Sequence, residues 1–126
     1  MTIGWLLDRS DRDSLLALVA PRWPVTIADH ITLRSGGQDE PLPASVVVYI
    51  IGEADDGAGV QALIAEVDGS TKRPDGGAYH ITWSLDRAYG RRAVDSNAVI
   101  AQHGWRAFAA PLPVAVTPAR WTWVDP

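Results

Sequence analysis

No cysteine occurs in the 126-residue chain, which excludes disulfide staples, thiolate zinc sites, iron–sulfur clusters and a cysteine nucleophile. Surplus positive charge is missing as well: the formal net charge is −4, so the overall balance offers no means of holding long duplex DNA by counterion release. Among eleven Lys and Arg residues Lys72 is the only lysine, and the arginines that remain suit bidentate contacts to phosphate. Long hydrophobic runs are absent too. None is longer than the run at residues 46–51, which is far too short to span a bilayer, and no basic region followed by an apolar stretch marks the N-terminus. These absences predict a soluble cytoplasmic protein with no membrane and no duplex DNA among its partners. Apolar residues make up 47% of the chain, enough for one domain over 1–126 that removes roughly two-thirds of its unfolded surface from water.

Hydrophobic periodicity divides that domain into short elements. An apolar run over 2–7 reads as a strand, and Ser10-Asp11-Arg12-Asp13 reads as the start of a helix. Leu15, Leu16, Leu18 and Val19 give that helix a buried stripe, and Pro21 and Pro24 end it. Alternation predicts a strand over 25–33, with Ile27, Ile31 and Leu33 on one face and His30, Thr32 and Arg34 on the other. The runs 45–54 and 60–68 form a hairpin around the turn-type residues 55–59, the first run apolar on both faces and therefore central in a sheet. A further strand follows over 78–85, then a helix over 98–103 that starts at Val94-Asp95-Ser96-Asn97 and stops at Gly104. Prolines 111, 113 and 118 fit short edge strands between 106 and 124, ending on Trp121-Thr122-Trp123. This order predicts an α+β fold, mostly antiparallel, with two short helices.

One internal echo carries chemistry. Ala28-Asp29-His30-Ile31-Thr32 returns fifty residues later as Ala78-Tyr79-His80-Ile81-Thr82, each copy on an expected strand in the same register. Strand alternation projects His30 with Thr32, and His80 with Thr82, from one face and sets Ile31 and Ile81 on the other. Two facing imidazoles, each titrating near 6.5 when unperturbed, can divide the labour of cleaving a phosphodiester: one accepts a proton from the attacking oxygen, the other donates to the leaving one. Threonine hydroxyls can bond the non-bridging oxygens as charge builds on them. Such a site needs no metal and no cofactor.

Two His-x-Thr motifs on strands resemble the 2H phosphoesterase superfamily, which includes 2′,3′-cyclic phosphodiesterases, the 2′-5′ RNA ligase-like proteins and phosphodiesterases of small cyclic nucleotides. The resemblance covers the two motifs and the strand–helix order around them. It implies a bilobal, pseudo-twofold arrangement around a central cleft, with His30 and His80 as the catalytic pair and Thr32 and Thr82 as phosphate ligands. RNA ends or small nucleotide phosphodiesters are the implied substrates. Family members usually place an apolar residue before each histidine, as Tyr79 does here; Asp29 departs from that pattern.

Other residues are weighed around this centre. Arg34 and Ser84 continue the two motif faces and extend the expected phosphate contacts. Tyr89, in an arginine-rich loop, offers a stacking surface for a base. Lys72 and Arg73 read as part of a solvated loop, Asp95-Ser96-Asn97 as a helix cap, and His103 as a residue favoured by the C-terminal end of its helix. No two histidines have the short spacing that zinc sites use, so a metal site is not expected. Trp83, Trp121 and Trp123 read as core packing. A second reading keeps the cleft and drops the chemistry, leaving a module that holds RNA ends or nucleotides; a third leaves the motifs on separate surfaces.

Overall fold

The computed structural model describes residues 1–122. Along the chain come β1 (Thr2–Leu7), α1 (Arg9–Leu18), β2 (Val25–Thr26), β3 (His30–Ser35), β4 (Val48–Asp55), β5 (Val60–Val67) and β6 (His80–Leu85). A single 3-10 turn (Arg87–Tyr89), α2 (Asp95–His103), β7 (Arg106–Val114) and β8 (Val116–Trp121) complete it. The strands form a three-stranded sheet in the order β3-β1-β8 and a five-stranded sheet in the order β2-β6-β5-β4-β7, with each pairing antiparallel. The fold is α+β, mostly antiparallel, with two helices. Trp123 lies outside the described residues.

The alternating run 25–33 is not one strand. It breaks at Ala28, whose φ of 44° lies in a region unfavourable for a residue with a Cβ. The turn is held in place from several sides: Ala28 N–H donates to the Thr82 carbonyl at 3.0 Å, its own carbonyl accepts from Arg12 Nε at 2.6 Å, and its methyl is fully buried. The consequence is a change of sheet. β2 pairs with β6 in the large sheet, and β3, beginning at His30, pairs with β1 in the small one.

Packing around the five-stranded sheet explains its burial. Leu63, Ile81 and Trp83 on one face meet Trp5, Leu7, Leu15 and Ile31 from β1, α1 and β3. Val60, Ala62, Ile64 and Leu85 on the other meet Val99 and Ile100 of α2. Covered on both sides, β5 is buried at all positions but Glu66. β4 also lies inside the sheet, as expected of the run 45–54, between β5 and β7, but it is buried only at alternate positions, and the strand begins only at Val48, with Val47 61% exposed. Two details at α1 also differ from the reading. Its cap is Asp8, whose carboxylate accepts from Asp11 N–H at 3.0 Å, and Leu18 is exposed because the chain leaves the helix there. The prolines fall as expected on the edge strands β7 and β8.

Candidate functional site

Each motif strand opens on its histidine, and the likeness of the two extends into the backbone. In the β1–β3 ladder Gly4 faces Thr32 and Ile3 faces Arg34, leaving Leu33 unmatched. In the β5–β6 ladder Ala62 faces Thr82 and Gln61 faces Ser84, leaving Trp83 unmatched. Both copies therefore carry a β-bulge at the residue after the threonine. On the first strand the bulge brings the backbones so close that a Cβ on Gly4 would stand 2.1 Å from the Ile31 carbonyl oxygen, which restricts the position to glycine.

An extra residue inverts the alternation beyond it. Leu85 consequently joins the α2-facing cluster rather than the face of Ile81 and Trp83. Ser84 turns away from His80 and Thr82: it is fully buried, donates to Gln61 Oε1 at 2.6 Å and accepts from Trp23 N–H at 3.1 Å. It is not in the cleft. Arg34 remains in the cleft wall, with its guanidinium bonded to Glu40.

His30 and Thr32 from the small sheet, and His80 and Thr82 from the large one, line a single cleft of about 290 Å³. Tyr89 does not reach it. The 3-10 turn, capped by Asp86 and closed by Gly90 at φ 69°, carries Tyr89 outward to 73% exposure beside a different hollow shared with Trp23 and Arg91. His103 ends α2 and is exposed, away from the cleft. Among the described residues no three His, Asp or Glu side chains are grouped as a metal ion would require.

Two cleft residues escaped the sequence reading. Arg73, assigned there to a solvated loop, is 9% exposed; its Nε donates to Asp75 Oδ1 at 3.1 Å and its Nη2 to Asn97 Oδ1 at 2.9 Å. A turn closed by Arg73 N–H on the Gly77 carbonyl, 2.8 Å, folds the loop back over the cleft. Asn97, expected as a cap, lies instead inside α2, whose N-cap is Val94 with no side-chain cap bond, and its amide oxygen anchors this guanidinium. The available signal was the cation immediately upstream of the second motif with Pro74-Asp75-Gly76-Gly77 turn chemistry after it.

The electrostatics of the pair depart from two rings near 6.5. His80 is buried, and burial pushes its pKa down to about 4, helped by the charges of Arg73 and His30 and opposed by the Ala78 carbonyl and Asp75. Its Nδ1 lies 2.8 Å from that carbonyl oxygen, so Nδ1 carries the proton and Nε2 keeps its lone pair. His30 is also lowered by burial, but the Asp29 carboxylate opposes the shift. Its ring packs on Trp121, centroids 4.7 Å apart. The Thr82 hydroxyl is 2.9 Å from Ser96 Oγ and 3.3 Å from the Ala93 carbonyl, which ties the second motif to the start of α2. The cleft thus presents a neutral base, an imidazole beside a carboxylate, hydroxyls and a half-neutralised arginine. No protein-family model, curated protein or solved structure matches the chain.

Proposed function

We propose that the chain is a metal-independent phosphodiesterase of the two-histidine kind, acting on a 2′,3′-cyclic phosphate or a 2′-linked phosphodiester of RNA ends or small nucleotides. The observation that carries this reading is the convergence of both His-x-Thr strands, from different sheets, on one cleft that also holds a buried arginine. The matched bulges behind the motifs support a pseudo-twofold relation between the halves. In this reading Arg73 offsets charge on the non-bridging oxygens while the histidines move the protons. Because both imidazoles are lowered, activity requires a base deprotonated above about 4 and an acid still protonated below an alkaline limit that burial has depressed. The optimum accordingly falls on the acid side of neutral.

The test is hydrolysis of 2′,3′-cyclic nucleotides across pH in EDTA. Turnover that survives chelation and peaks below pH 6.5 is the expected result; complete loss of turnover on chelation would remove the mechanism. A second reading, the non-catalytic module, draws on Thr82, whose hydroxyl is already engaged by Ser96 and Ala93. It requires nucleotide binding with no turnover at any pH.

A further inference from the structure

The two histidines are held by different chemistry. His80 Nδ1 meets a backbone carbonyl of its own strand, whereas His30 Nδ1 lies 3.1 Å from Oδ2 of Asp29, a carboxylate. That carboxylate is fixed in turn: Arg9 Nη2, from the first turn of α1, donates to its Oδ1 at 2.8 Å, and the Asp29 backbone carbonyl accepts from Leu7 N–H at 3.0 Å. A neutral carbonyl selects a tautomer, while a carboxylate also stabilises the imidazolium. We infer that Asp29 is a positioning residue that makes His30 the proton donor of the pair and leaves His80 as the base, an inference that rests on the phosphodiesterase reading above. In the step it implies, His80 Nε2 removes a proton from the attacking water as its oxygen bonds to phosphorus. The bond from phosphorus to the leaving oxygen breaks, and that oxygen takes the proton of His30.

The charged and titratable groups around His30 allow the role to be probed in both directions. Asp29 favours its protonation and Arg9, from α1, opposes it. Across the cleft stand His80 on β6 and Arg73 with Asp75 from the β5–β6 loop; Arg34 on β3 is bonded to Glu40, and β8 contributes the Trp121 ring.

The experiment compares D29N and R9Q with the unsubstituted protein on 2′,3′-cyclic AMP and on a nucleotide p-nitrophenyl ester, whose leaving group needs no proton. D29N should move the alkaline limb down by roughly one pH unit, a loss of about tenfold at pH 7 on the cyclic nucleotide. Near pH 5 and on the nitrophenyl ester its loss should stay within about twofold. R9Q should move the same limb upward, and NMR titration of the His30 ring should follow both shifts. A loss of equal size at every pH and on both esters, or an unmoved His30 titration in D29N, overturns the role of Asp29. Absence of turnover by the unsubstituted protein on both esters overturns the phosphodiesterase reading and the donor role together, and shows itself before any substitution is made.

Discussion

The strand that carries His30 and the strand that carries His80 begin with the same three residues and bulge at the same fourth position, yet they occupy unlike places in the molecule. β3 is an edge strand of the small sheet, its histidine half-buried between a carboxylate and an indole. β6 lies inside the large sheet, buried at every position and roofed by α2. A repeated tripeptide thus supplies the same functional groups twice, but acidity is set by what surrounds them. Desolvation is the largest influence on both rings; at His30 it is opposed by the adjoining Asp29 carboxylate, at His80 by the Ala78 carbonyl and Asp75.

That contrast can be broken most directly at the rings. H80A should reduce turnover of a cyclic nucleotide by about 10²–10⁴-fold with binding largely retained, as measured by kcat against nucleotide affinity. Loss of affinity without any turnover to lose would favour the binding module instead.

The bulge residues sharpen the comparison through stability. Trp83 is fully buried, with its indole N–H donating to the Val19 carbonyl at 2.8 Å, so W83A should cost about 3–5 kcal/mol by denaturant unfolding. Leu33, only partly buried, should cost less on truncation; an equal cost at both positions would contradict the asymmetry between the sheets.

A smaller effect concerns pH. The folded-state pKa of His80 lies below the unfolded value of about 6.5, so the unfolded chain binds more protons between about 4 and 6.5. The stability contributed by the neutral ring is fully present above that window and declines as pH falls through it, by about 3 kcal/mol at most. H80Q should flatten this part of the stability–pH curve, whereas H30Q should change it less.

The smallest effect is expected at Tyr89. Being exposed and outside the cleft, it should give less than about a twofold change in turnover as Y89A, measured on the same cyclic nucleotide.

Much of this architecture was legible from alternation and punctuation. The strands around both motifs, the hairpin after Ala54 and the helix ended by Gly104 all announce themselves through period, turn residues and caps. The placements of Ser84 and Leu85 were not, because a bulge inverts parity without leaving any mark in composition. Nor was the break at Ala28, where an alanine adopts a backbone region normally left to glycine under the constraint of partners far along the chain. Arg73 was hidden for a related reason. A cation in a Gly- and Pro-containing loop looks solvated until Asn97, twenty-four residues later, fixes it indoors.

The residues just before His30 are tied to the opposite motif: Ile27 N–H donates to the Trp83 carbonyl at 2.9 Å and Ala28 N–H to the Thr82 carbonyl at 3.0 Å. The two jaws of the recess are thereby riveted at their base. On the phosphodiesterase reading, a substrate must match the width it finds, since prising the jaws apart would strip backbone bonds from the same strand that bears His80. Selectivity would then be exercised at the mouth, by whatever the rim admits.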